Sequence, residues 1–221
     1  MFIGDLSISV DNNKCVFQTN AIPNHDFNDG NRGFPNDVAE QDDTFEVTAA
    51  PQKANTVTYI GLSMDNAILL NGVKVDLLSA GCYGVENGKT GCNDINHPWR
   101  YDPMHAANNF NVDSHHAHAQ SDGTYHYHGT PVALFDDSDD SKASPVIGFA
   151  ADGFPIFGTW FNDNGTVRKA TSGYRLKSGS RPTTDGAPGG TYDGTFRDDY
   201  EYVEGLGDLD ECNGMTLNGS Y

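Results

Sequence analysis

Hydrophobic residues along this chain alternate with polar ones over short stretches and nowhere sustain a helical interval. Alternation at a period of two sends successive side chains to opposite faces of a strand, so the pattern predicts a β protein. Residues 6–10 and 15–19 form one such pair around Asp11-Asn12-Asn13-Lys14. Residues 67–70 and 73–76 flank Asn71-Gly72, whose tolerance of positive φ predicts a two-residue type I′ turn. Residues 146–151 and 154–160 flank Asp152-Gly153 in the same way, and Phe161-Asn162-Asp163-Asn164-Gly165 reads as the next turn. Residues 191–197 and 200–203 supply a further pair. Residues 136–140 and 177–190 read as low-complexity loops, because too little chain lies beyond them to build another core. The expected architecture is all-β: a single-domain sandwich or irregular barrel spanning residues 1–221, with long loops rich in Gly, Asp and Asn.

Composition narrows the partners. Twelve Phe and ten Tyr supply an aromatic core for a chain of 221 residues. Thirty-one acidic against 13 basic residues give a formal charge of −18, a field that repels phosphate backbones and anionic headgroups. Nucleic acid is therefore not an expected partner, and no apolar run approaches the roughly 20 residues that cross a bilayer. Residues 1–10 lack the basic-then-apolar pattern of a signal peptide. The four cysteines show no Cys-x-x-Cys spacing, and their even number in an acidic, Gly-rich chain predicts two disulfides of an extracytoplasmic protein. Cys82–Cys92 would close a polar loop and Cys15–Cys212 would tie the ends of the domain; four buried thiols are the alternative.

Five of the eight histidines fall within Ser114-His115-His116-Ala117-His118-Ala119-Gln120-Ser121-Asp122-Gly123-Thr124-Tyr125-His126-Tyr127-His128. This segment reads as a hairpin in which His126 and His128 share one face while Tyr125 and Tyr127 take the other. A three-residue loop, Ser121-Asp122-Gly123, pairs His118 with His126 and His116 with His128, so that four imidazoles converge; a two-residue loop splits them between faces. Converging neutral imidazoles suit zinc or copper rather than calcium or magnesium. His116, His118, His126 and His128 are thus the candidate ligands, with Gln120, Tyr125 and Tyr127 around them. Hydrogen-bonded structural histidines are the alternative. His115 should face away, and His25, His97 and His105 are weaker candidates for a further ligand.

Asp122-Gly123-Thr124-Tyr125-His126-Tyr127-His128-Gly129-Thr130-Pro131 resembles the segment that names the YHYH-domain family. Ile22-Pro23-Asn24-His25, Asn71-Gly72-Val73, Ala117-His118-Ala119-Gln120, the stretch 147–156 and the stretch 207–214 are similar to family motifs, in family order, so the resemblance covers about residues 10–221. It carries over His118, Gln120, His126 and His128, whereas His115 and His116 fall where Asn is more usual. The family pattern continues with another Gly-Thr-Tyr-His-Tyr-like strand, which this sequence, stopping at Asn218-Gly219-Ser220-Tyr221, does not carry. Members resemble exported bacterial proteins and proteins of marine viruses, which implies a role outside the cytoplasm, with other subunits of a surface assembly as partners.

Asp193, Asp198, Asp199, Glu201, Glu204, Asp208, Asp210 and Glu211 make a second, acidic constellation. Asp208, Asp210 and Glu211 are its candidate calcium ligands, although Gly214 stands one residue late for an EF-hand loop; a solvated acidic face is the alternative. No nucleophile elbow, phosphate loop or His-Glu-x-x-His motif is present, so any catalysis would have to come from the metal. The expected function is a non-enzymatic zinc- or copper-binding domain of an exported or virion-surface protein. The alternatives are a metal-dependent oxidase or hydrolase with an open three-histidine site, and a metal-free structural or adhesive domain.

Overall fold

The computed structural model describes residues 2–221. It is all-β, with 27% of residues in strands, 3% helical, several sheets and no closed barrel. The described residues group into two compact units: one of residues 2–56, 64–77 and 111–169, the other of residues 57–63, 78–110 and 170–221.

In the first unit, β1 (Leu6–Asp11), β2 (Lys14–Thr19) and β3 (Asp43–Thr48) form an antiparallel three-stranded sheet. Asn12 and Asn13, both at positive φ, make the tight β1–β2 turn. A six-stranded sheet has the order β6-β7-β5-β4-β8-β9, from β4 (Ala67–Leu69), β5 (Lys74–Val75), β6 (Ala117–Ala119), β7 (Tyr125–Tyr127), β8 (Val146–Ala150) and β9 (Pro155–Phe157). β5 and β7 run parallel and all other neighbours antiparallel. β10 (Trp160–Asp163) and β11 (Thr166–Lys169) make a separate hairpin whose turn is Asn164-Gly165; the strand therefore runs through Phe161–Asp163, which the sequence pattern assigned to the turn.

Three hairpins of the large sheet share one turn. In each, a glycine N–H donates to the carbonyl three residues back: Gly72 to Leu69, Gly123 to Gln120, and Gly153 to Ala150. The residue that accepts this bond donates to the residue after the glycine: Leu69 to Val73, Gln120 to Thr124, and Ala150 to Phe154. Each loop is thus three residues long and ends on a left-handed glycine, with φ of 80°, 88° and 89°. Asn71-Gly72 is consequently not the two-residue turn expected, since only its glycine needs positive φ.

The two faces of the large sheet bury different cores. Ala67, Leu69, Val75, Ala117, Ala119, Tyr125 and Tyr127 pack with Ile22, Val38 and Val73, backed by Phe27 and Phe34. On the other face Ile68 and Phe149 meet Phe17, Val47 and Phe45 of the small sheet, so the unit is a sandwich there. Burial of each such large side chain contributes about 1.5–3 kcal/mol. Reading across that second face through the strand register gives the row Phe149, Ile68, Lys74, His126, His118. The row turns from apolar to polar in step with the strand order.

The second unit contains the hairpin-like pair β12 (Tyr174–Leu176) and β13 (Tyr200–Tyr202) and the Cys82–Cys92 disulfide, Cα atoms 5.7 Å apart. The stretch 191–197, expected as a strand, instead holds single bridges at Thr191 and Phe196 and leads into a 3-10 turn at Arg197–Asp199. Arg100 is fully buried, its guanidinium donating to the carbonyls of Ser79, Cys92 and Asp94. Arg181 is paired with buried Asp199 and with Asp193. Cys15 and Cys212 both remain thiols, which corrects the expected second disulfide: Cys15 sits in β2 of the first unit and Cys212 in an exposed turn of the second.

Candidate metal centre

Gly123 decides which histidines meet. With three residues in the loop, His118 lies directly opposite His126, and Ala117 and Ala119 lie opposite Tyr127 and Tyr125. Alternation then sends both tyrosines to the aromatic core and the histidines to the other face. A side chain at position 123 would be strained at φ 88° and would place its Cβ 2.5 Å from Ala39 Cβ.

Three imidazoles converge. His128 Nε2 lies 3.1 Å from His126 Nε2 and 3.1 Å from His118 Nε2, with ring centroids 4.7–4.9 Å apart. His126 and His128 are 3% and 6% exposed, and His118 is half-buried. Burial, followed by the neighbouring His118, pushes His126 down to about 3; burial, with both neighbouring rings, holds His128 well below the usual range. His126 and His128 therefore offer neutral lone pairs at physiological pH.

His116 is not brought into this group. It takes a left-handed conformation, φ 69°, as its N–H donates to the Asp113 carbonyl, and its Nδ1 turns to the Thr130 carbonyl at 2.7 Å. Its backbone carbonyl still accepts the His128 N–H, so the register continues while the side chain leaves the face. Gln120 donates to Asp122 Oδ2 at 2.9 Å. Tyr125 donates to Asp113 Oδ2 at 2.8 Å, and Tyr127 meets Asn71 Nδ2 at 3.0 Å and His25 Nε2 at 2.5 Å, all on the far face of β7. Burial raises both phenols above their usual range.

The hydrogen bonding of the triad fits a cation. His126 Nδ1 faces the Thr124 carbonyl at 3.2 Å, so Nδ1 carries the proton and Nε2 is a bare lone pair. One N–H on His128 must then serve both 3.1 Å contacts, or two lone pairs face each other. His128 Nδ1 makes no hydrogen bond of good geometry, although the Asp76 backbone lies close enough to oppose slightly the fall in its pKa. Nitrogens bound about 2.0–2.1 Å from a tetrahedral zinc lie about 3.3 Å from one another, close to the spacing observed.

The acidic residues singled out for calcium are not gathered. Asp208 accepts from the Thr171 N–H and hydroxyl, Asp210 accepts from the N–H groups of Cys212 and Gly214 and from Tyr221, and Glu211 is exposed. No three of these carboxylates bring ligand atoms together among the described residues. A different cluster, His25, Asp26 and His115, does so, and only the pairing of residues far apart in sequence could have disclosed it.

The fold and the site define an all-β protein with a buried three-histidine cluster on one hairpin. The chain belongs to the YHYH protein family, whose family model matches residues 44–221. The match leaves out Ile22-Pro23-Asn24-His25. No curated protein and no solved structure matches the chain. Among the described residues no helix is long and apolar enough to cross a membrane.

Proposed function

We propose that this chain is a non-enzymatic transition-metal-binding domain of an extracytoplasmic protein, with zinc or copper held by His118, His126 and His128. The observation that carries the reading is the convergence of three imidazoles on a register-fixed hairpin, His128 Nε2 lying 3.1 Å from both His126 Nε2 and His118 Nε2. Borderline cations favour imidazole, and the bound ion would cross-link β6 to the segment following β7. The groups that a catalytic centre would recruit are occupied elsewhere: Gln120 with Asp122, and both tyrosines on the opposite face. The disulfide and the acidic charge support a place outside the cytoplasm, on an exported protein or a particle surface.

A second reading, a metal-dependent hydrolase or oxidase, is favoured by two observations. Only three histidines meet, leaving room for a fourth ligand, and a polar cavity of about 250 Å³ lies beside Thr124, Lys74, Asp65, Asp43 and Asp122.

Elemental analysis of natively purified protein, beside a His118→Ala/His126→Ala/His128→Ala variant, tests both readings. Near-stoichiometric zinc or copper that disappears in the variant is expected; metal content unchanged by the substitutions would refute the site. Cobalt substitution then separates the readings. A spectrum insensitive to pH and to azide would show the fourth position closed to exogenous ligands and support the non-enzymatic reading, and a spectrum that shifts with either would favour the enzyme.

A further inference from the structure

We propose that His25, Asp26 and His115 form a second divalent transition-metal site, on the face of the hairpin opposite to the triad. One ligand atom from each of the three lies within 4.8 Å of the others. His25 Nδ1 stands 2.5 Å from the Asp26 carbonyl, and His115 Nε2 stands 3.0 Å from Asp26 Oδ1. Two imidazoles and a carboxylate suit first-row divalent ions such as zinc, nickel or iron(II).

The site is assembled before any ion arrives. Asp113 Oδ1 accepts from the N–H groups of His115 and Ala117, and its Oδ2 accepts from Tyr125 and the Asn28 N–H. Asp29 accepts from the Ser114 N–H and hydroxyl, pinning the loop that carries His25 and Asp26 to the turn that carries His115. His25 is oriented through its remote nitrogen: Nε2 accepts from the Tyr127 hydroxyl, and Nδ1–H donates to the Asp26 carbonyl, so that an ion bound at Nδ1 would displace this proton. Such a bond on the second nitrogen fixes the ring of a ligating histidine.

Burial is graded in the direction an entering cation needs. The His115 side chain is 15% exposed and its Nδ1 is buried with no partner, whereas Asp26 is 76% exposed at the mouth. The rings of His25 and His115 stand 4.1 Å apart, closer than the 4.7–4.9 Å of the triad, so loading requires them to part slightly. The site does not depend on the triad reading, and His25 and Asp26 lie outside the family match.

Calorimetric titration of metal-stripped full-length protein with Zn²⁺ at pH 7.5 tests it. Two equivalents are expected for the unaltered chain. His25→Gln and His115→Gln should each remove one, with near-ultraviolet circular dichroism preserved. Asp26→Asn, at an exposed position, should weaken that equivalent by at least the ~10-fold that loss of an outer-shell partner costs. His126→Gln/His128→Gln should keep one equivalent, which adding His25→Gln abolishes. Zinc uptake that is indifferent to His25, Asp26 and His115 would overturn the proposal and leave these residues a hydrogen-bond network. Loss of the triad equivalent alone would defeat the first reading and leave this one standing. Should the histidine variants fail to fold, Asp26→Asn decides.

Discussion

The Tyr127 hydroxyl meets His25 Nε2 at 2.5 Å on one face of β7, while His126 and His128, its neighbours in the chain, meet each other at 3.1 Å on the other. One strand therefore separates two histidine clusters. Tyr127→Phe would leave Asn71 Nδ2 and His25 Nε2 without this partner at a buried position, at a cost of about 1–3 kcal/mol. Because the phenol lies on the far face, metal bound by the triad should be retained. Urea denaturation and elemental analysis on the same preparation check both halves of this prediction.

Gly123→Ala is expected to damage stability and triad together. The substitution places an L-residue at φ 88°, with its Cβ against Ala39, whose N–H donates to the Gly123 carbonyl at 3.0 Å. Backbone strain of this kind costs about 1–3 kcal/mol, and a loop that escapes it by shortening shifts the register so that His118 no longer faces His126. A lowered urea midpoint accompanied by loss of metal is the expected result. The same change at Gly165, where nothing lies within 4 Å, should cost less.

What could be read in the sequence follows from how local each feature is. Asp122-Gly123 and the tyrosine-histidine alternation after it are neighbours in the chain, and together they specify the turn, the register and both faces of β7. Asn71-Gly72 and Asp152-Gly153 mark their hairpins equally well; the loop length escaped because the dipeptide does not say whether its first residue also takes positive φ. β3 alternates cleanly in Asp43-Thr44-Phe45-Glu46-Val47-Thr48 but has no turn dipeptide to bound it. Tyr174–Leu176 is exposed throughout, so no buried face betrays it as a strand. His116 leaves the site because Asp113, through its backbone and its carboxylate, curls residues 113–117 into a turn. His25 lies 102 residues from Tyr127, and its partnership is fixed only once the sheet exists. The Cys15–Cys212 pairing failed for the opposite reason: parity counts cysteines and ignores the elements that carry them.

Metal-free protein should lose stability as the pH falls below about 6.5. His126 and His128 are held neutral in the fold, with pKa values below that of an unfolded histidine, so the unfolded chain binds more protons in this window. The stabilisation is complete above the unfolded value near 6.5 and declines down to the folded value, about 3 for His126. His126 contributes a slope approaching about 1.4 kcal/mol per pH unit, or roughly 2 kcal/mol between pH 6.5 and pH 5, and His128 adds in the same direction. Urea midpoints measured in the presence of chelator across this interval should fall steeply, and His126→Gln/His128→Gln should flatten the profile. A flat profile in the unaltered protein would show that these rings are solvated or charged.

Thiol chemistry separates the disulfide from the two remaining cysteines. Cys82–Cys92 closes a short loop, ten residues apart in sequence, whose cross-link restricts the unfolded chain by about 3 kcal/mol in the chain-entropy model. Around it, the fully buried Arg100 donates to the Cys92 carbonyl on one side and to the Ser79 and Asp94 carbonyls on the others, so the loop anchors a guanidinium shut off from the protein surface. Alkylation under denaturing, non-reducing conditions should label two cysteines, Cys15 and Cys212, and prior reduction should expose all four. Under native conditions Cys212 should react first, since Cys15 is partly buried in β2 beside Phe17. Reduction should then open residues 78–110 to proteolysis before the histidine hairpin, which contains no cysteine. Simultaneous cleavage of both segments would mean instead that the two units unfold as one cooperative body.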